Sequence, residues 1–187
     1  MRAIIIGLAV GFWALPCAAA PAAEACRSEG NFTCRLPSGW TPARAPRLER
    51  VEKVYGVEAL APGSPDGPAV RVTVDYFAPG NAVHKDTDAY IAAHARKKKG
   101  LRLPGEKYGP AAEAKAGGRS GRAFERETIS FWPPDHPRAR QVPMRERFVV
   151  LPAREGFYAL SYSAPASLYE KHRADFEAVL GSFKPLR

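Results

Sequence analysis

The stretch "EGFYALSYSAPASLYEKHRADFEAVLGSF", residues 155–183, decides the fold. Its first half alternates: Phe157, Ala159 and Ser161 fall on one face of an extended chain and Tyr158, Leu160 and Tyr162 on the other, the period-two signature of a strand. Within four residues the spacing changes. Leu168, His172, Phe176, Val179 and Phe183 recur at intervals of three or four, a stripe that a helix lays against a sheet. Ser167 followed by Glu170 reads as a capping box at the helix start. Gly181 predicts the helix end and Pro185 bars its resumption. Each part of this tail has a packing explanation and none requires chemistry, so the tail reads as the closing element of a fold.

Upstream, the same alternation recurs. "AVRVTVDYF" (69–77) is the clearest strand, with Val70, Val72, Val74 and Tyr76 on one face and Arg71, Thr73, Asp75 and Phe77 on the other. A strand is expected over about Val54–Leu60, because Gly56 weakens the competing helix and a turn cluster, "APGSPDGP", follows. "FTCRLPSGWTPA" predicts a strand, a turn and a second short strand led by Trp40. "AAEAKAGGRSGRAFERETISFW" predicts a strand, a glycine-rich turn and a longer strand; "PPDHPRARQVP" is a proline-rich connector; "MRERFVVLPA" is another strand, joined through "REG" to the last one. Short connections predict an antiparallel sheet. Between these strands "DTDAYIAAHARKKKG" predicts a helix capped by Asp86 or Thr87, with Lys97, Lys98 and Lys99 suited to its negative end and Gly100 placed to stop it. The expected class is therefore α+β, an antiparallel sheet flanked by helices.

The beginning of the chain bears on its compartment. Arg2, an uncharged apolar run from Ile4 to Leu15, then Pro16 and small residues make the three-part layout of a secretory signal peptide. That run is shorter than the ~20 apolar residues of a membrane-spanning helix. Cleavage after Ala20 and cleavage after Ala25 compete, and lipidation of Cys17 is the alternative to both. The expected organisation is a leader over 1–25 and one domain over 26–187, in a periplasmic or secreted protein with no transmembrane span in the mature chain. Removing residues 1–25 takes away Arg2 and Glu24, so the mature chain keeps the net charge of +9. Such a balance favours anionic partners or surfaces, with a solvated basic face as the plainer reading. No nucleic-acid recognition motif accompanies it. Cys26 and Cys34 in "CRSEGNFTC" predict a disulfide, since two cysteines remain in an exported chain. Loop-closure entropy alone gives such a short loop about 2.5 kcal/mol.

The strand "GFYALSYSAP", the amphipathic helix after it and the terminal "VLGSFKP" together resemble the photosystem II extrinsic protein PsbP and its bacterial relatives; the opening "FTCRLPSGW" fits the same pattern. The resemblance spans roughly residues 31–186, and its recognisable pattern lies at the two ends. It implies a PsbP-like α/β/α sandwich and an exported, non-enzymatic accessory or binding domain. A fold of this kind serves unlike purposes, so it does not by itself set the function.

Motifs for chemistry are sparse. "GGRSGR" lacks the following helix of a nucleophile elbow, and no phosphate-binding or dinucleotide fingerprint occurs. His84 in "HKDTD" offers donors for a metal, but Asp86 and Asp88 already suit a helix start. His136 beside Asp135 is not a dyad by adjacency. No catalytic, cofactor or metal residues are expected. Arg138, Arg140, Arg145 and Arg147 alternate around the connector and form the one candidate anion-binding set; Arg122 and Arg126 on the preceding strand add to it if the two strands pair. The plainer reading pairs these arginines with Glu125, Glu127 and Glu146. Three functional classes follow. The first is an accessory or protein-binding domain of the bacterial envelope, partnered by an envelope protein. The second is a binder of an anionic ligand or surface through the arginine face, and the third a hydrolase with an unrecognised site.

Overall fold

The computed structural model describes residues 24–43, 49, 51–63, 67–95 and 104–187. The leader and the cleavage sites fall almost wholly outside these residues, as does the Lys97–Lys99 run with Gly100. The strands are β1 (Glu24–Ser28), β2 (Phe32–Leu36), β3 (Thr41–Ala43), β4 (Val54–Leu60), β5 (Arg71–Phe77), β6 (Lys107–Tyr108), β7 (Ala112–Ala116), β8 (Arg119–Trp132), β9 (Arg140–Pro152), β10 (Phe157–Pro165) and β11 (Lys184–Pro185). The helices are α1 (Thr87–His94) and α2 (Ala166–Ser182).

All pairings are antiparallel. One large sheet runs β3-β4-β5-β10-β9-β8-β6, with β7 also on β8, and a small sheet runs β1-β2-β11. The opening stretch supplies the centre: β10 lies between β5 and β9, and both of its faces are buried. Tyr158, Leu160, Tyr162 and Ala164 join Val72, Val74, Val149 and Leu151 in the larger core, closed by Tyr169, Phe176, Val179 and Phe183 at α2 and by Phe32 of the small sheet. Phe157 and Ala159 join Phe77, Phe124, Phe148 and Val150 on the opposite face, under Tyr90 and Ile91 of α1. A helix thus packs on each side of the sheet, the expected architecture.

Close approach fixes two glycines. A Cβ on Gly121, near the start of β8, would lie 2.1 Å from the Val150 carbonyl oxygen. Gly156 turns β9 into β10 with φ of 74° and brings its backbone against Phe77, a conformation that suits glycine alone.

The disulfide expectation is met: Cys26 and Cys34 are bonded, and they sit opposite one another in the β1–β2 register. The strand β1 itself begins two residues earlier, at Glu24. The helix boundaries correct the sequence reading in two places. The α2 helix springs directly from β10, with Pro165 as its N-cap and no side-chain cap. Ser167 therefore lies inside the first turn, and Glu170 instead reaches Arg145 at 3.0 Å. Nor does Gly181 stop the helix. It continues to Ser182, whose hydroxyl donates to the Val179 carbonyl and accepts from the Arg35 amide of β2. The connector after Trp132 is also shorter than its composition suggests, since β9 already begins at Arg140, opposite Trp132. At α1 the expectation holds: Asp86 caps the helix by accepting from the Ala89 amide at 2.8 Å.

Candidate binding groove

The two faces of the large sheet are covered unequally. On the α2 side, the helix and the small sheet together close the core. On the other side, α1 covers only the end of the sheet carrying Phe77, Phe157, Val150, Phe148 and Phe124. Beyond it the same face turns polar on several neighbouring strands at once. Along β10, Phe157 and Ala159 give way to Ser161 and Ser163; along β9, Phe148 gives way to Glu146; along β8, Phe124 gives way to Arg126, Thr128 and Ser130. Strand pleating keeps alternate residues on one face, so these substitutions line up.

The register places five of them in one row across five strands: Arg71, Ser163, Glu146, Arg126 and Tyr108, from β5 through β10, β9 and β8 to β6. At about 4.8 Å per strand, the row is about 19 Å long. It floors an open groove of about 860 Å³, walled by Gly67–Ala69 on one side and by Phe131, Trp132 and Pro134 near the β8–β9 hairpin tip.

The charges of the row are already paired. Glu146 takes Arg126 in a two-pronged bond, from Nε at 2.5 Å and from Nη2 at 3.1 Å, and Thr128 donates its hydroxyl to the same carboxylate at 3.2 Å. Nη1 of Arg126 donates to the His94 carbonyl at the end of α1 (3.4 Å), and the guanidinium lies 5.0 Å over the Phe148 ring. This pair is largely shielded from water, which makes losing one partner costly. At the other end of the row, Arg71 meets Glu58 through Nε at 3.4 Å, in a much more open setting. Tyr108 donates weakly to Glu106 at 3.5 Å.

Four residues along β5 from Arg71, toward the end covered by α1, sits Asp75, opposite Gly56 on one side and Ala159 on the other. Burial, with Glu58 and Glu49 adding, pushes its carboxyl up to about 7. Gly56 makes room for it, since a Cβ there would lie 1.8 Å from Asp75 Oδ1.

The arginines expected to act together are divided. Arg145 and Arg147 lie on the α2 side. Arg145 pairs with Glu170 at 3.0 Å and with Glu125 at 3.5 Å, and lies 4.1 Å over the Tyr169 ring; Arg147 pairs with Glu177. Arg138 and Arg140 are exposed around the hairpin tip. Arg122 pairs with Asp88 at 3.7 Å on the α1 side, and Arg126 belongs to the groove. Pleating explains the split, because Arg140 and Arg145 are an odd number of residues apart on one strand and project to opposite faces. Of the expected glutamate partners, Glu125 and Glu146 pair with arginines of the set, and Glu127 pairs with Lys107.

The histidines are accounted for locally. His84 packs among Phe77, Tyr90 and His94, and burial lowers its pKa. His136 accepts from the Arg138 amide at Nδ1. His172 meets Asp175 at 2.9 Å and stands edge-on to Trp40. Among the described residues, no three His, Cys, Asp or Glu side chains gather as a metal site would require, and no helix is long and apolar enough to cross a membrane.

Sequence reasoning missed the groove, although it carries a readable signal: the loss of apolar character at matching positions on β5, β8, β9 and β10. No family model matches the chain, and no curated protein matches it. Among solved structures it is similar to LpqN of Mycobacterium tuberculosis, a protein involved in cell envelope biogenesis, with a TM-score of 0.44 and 14% identity over 82% of each chain. A likeness that distant carries no argument about ancestry or activity. The fold class expected from the PsbP resemblance is observed, and the PsbP family itself stays a resemblance.

Proposed function

We propose that this chain is an exported, non-enzymatic accessory domain of the bacterial envelope, and that it works by binding another envelope component in the polar groove on the α1 side. The observation that carries this reading is the cross-sheet row. It is open and concave, and its charged groups already have partners, Arg126 with Glu146 and Arg71 with Glu58. A prepaired Arg126–Glu146 couple offers fixed hydrogen-bonding directions to a ligand, which is the design of a recognition surface. Its carboxylate is occupied by Arg126 and Thr128, so it is poorly placed to take a proton from a nucleophile. The Cys26–Cys34 bond and the signal-like first residues support an oxidising compartment, periplasmic or extracellular.

The test is retention of envelope components on the immobilised mature protein, at low and high salt, for the wild type and for Ser163→Trp, which fills the groove. Retention that survives high salt and is lost in Ser163→Trp is the expected result. Retention equal in the two proteins would overturn the reading. Retention at low salt alone, insensitive to Ser163→Trp, would favour an anionic surface bound through arginines elsewhere.

A further inference from the structure

Resting on the reading of the groove as the binding site, we infer that its ligand is a neutral, polyhydroxylated chain: an oligosaccharide segment laid across the sheet along the row Arg71–Ser163–Glu146–Arg126–Tyr108.

Three observations converge on that class. The first is charge. The chain as a whole is strongly basic, at +9, but the groove is not. Its lining holds Arg71 and Arg126 against Glu106 and Glu146, with no lysine, and Glu58 is paired to Arg71. The local balance gives an anion no net attraction, and a phosphate or carboxylate would compete with glutamates for the guanidiniums. An uncharged ligand faces no such competition, and it sheds its water at lower cost than an ion does.

The second observation is the order of donors and acceptors. Along the row the groups alternate: a guanidinium, a hydroxyl, a carboxylate, a guanidinium and a phenol. A sugar hydroxyl both donates and accepts, so it matches a surface that offers each kind in turn. Capacity remains after the internal bonds are made. Arg126 uses three of its five N–H groups on Glu146 and His94, leaving about two. Arg71 meets Glu58 through Nε and is itself part of the lining. Ser130 and Ser163 add hydroxyls within the lining.

The third observation is the arrangement of apolar surface. Tyr108 stands at one end of the row, and Trp132 and Pro134 line the groove farther along, near the β8–β9 hairpin tip; Trp132 shares the face of Arg126, an even number of residues away on β8. Flat apolar faces beside a polar floor suit a ring that carries hydroxyls on its rim and C–H groups on its faces. A peptide fits less well. Extended peptides bind by adding a strand along a free sheet edge; Thr128–Trp132 of β8, which pairs with β9 alone among the described residues, is such an edge, whereas the row runs across the strands rather than along it.

The experiment is a titration of the ¹⁵N-labelled mature protein with three neutral tetrasaccharides (cellotetraose, chitotetraose and maltotetraose) and, separately, with inorganic polyphosphate. Backbone and side-chain N–H shifts are followed, including the Trp132 indole and Arg126 Nε. The expected result is saturable binding of at least one tetrasaccharide, with shifts centred on Arg126, Thr128, Trp132 and Ser163. The double variant Thr128→Val with Ser163→Ala should weaken it about tenfold, the loss of two ordinary hydrogen bonds, and Trp132→Ala should weaken it as well. Thermal melts of both variants confirm that they are folded. Absence of groove shifts with all three tetrasaccharides overturns the inference, as do sugar shifts centred on Arg138 and Arg140. Polyphosphate occupying the groove overturns the ligand class and leaves the groove standing as the binding site.

Discussion

Replacing Asp75 by Asn should stabilise this protein at neutral pH and have little effect in acid. Asp75 projects on the α1 side of β5, beside Gly56 and Ala159, and no described partner compensates its charge. Burial is the largest cause of its shift, followed by the like charges of Glu58 and Glu49, and the carboxyl moves from 3.8 to about 7. An acid whose pKa is raised by folding holds its proton more tightly in the folded state. Below the unfolded value both states are protonated and the group costs nothing. Between about pH 4 and 7 unfolding releases a proton, so stability falls as pH rises; above about 7 the whole penalty is present. A rise of about three units corresponds to about 4 kcal/mol at most. Asp75 keeps partial contact with solvent, so about 2–4 kcal/mol is the working range. Asparagine keeps the shape and removes the charge. Urea unfolding of wild type and Asp75→Asn at pH 4, 5.5, 7.5 and 8.5 should give a difference that is small at pH 4, grows through 5.5 and levels off above 7.5. A difference independent of pH, or a variant less stable than wild type at pH 7.5, would refute the argument, because the ionised carboxylate would then be making a favourable contact.

Phe176 is fully buried at the centre of α2, stacked on Tyr162 at 5.6 Å; Phe176→Ala should cost about 3–5 kcal/mol in chemical denaturation. The two helix starts should respond differently to loss of a hydroxyl or carboxylate: Asp86→Ala should cost about 1 kcal/mol, whereas Ser167→Ala should change stability by less than about 0.5 kcal/mol, since Ser167 caps nothing. Thiol titration of the denatured, unreduced mature protein should find neither Cys26 nor Cys34 free, and two titratable thiols would contradict the disulfide.

Where the sequence was informative, it was so because local periodicity and burial agree. The alternation of Val72, Val74 and Tyr76, or of Tyr158, Leu160 and Tyr162, comes from strands facing a core, and no distant contact was needed to read it. The capping box failed for a tertiary reason. Pro165 is still paired with Met144 in the sheet, so the chain must enter the helix at Ala166, and Glu170 is drawn across to Arg145. Gly181 misled in the same way, because contacts between Ser182 and β2 carry the last turn past it. Tyr169 and Leu180 are buried but fall beside the stripe marked out by Leu168 and His172, since α2 packs on both the large sheet and the small one. The arginines were legible as a set only until the register was known. Whether Arg126 meets Arg145 or Glu146 depends on how β8 and β9 align, and their composition leaves that alignment open. The groove required the same knowledge on five strands at once.

The central claim is that the α1-side row is the surface through which this domain meets its partner. The most direct measurement places a photo-crosslinking residue at Ser163, in the row, or at Arg173, exposed on α2 on the opposite side, and irradiates each protein with envelope material. A discrete adduct from position 163 that is absent from position 173 is the predicted result. No adduct from 163, or the same adduct from both positions, would contradict the account.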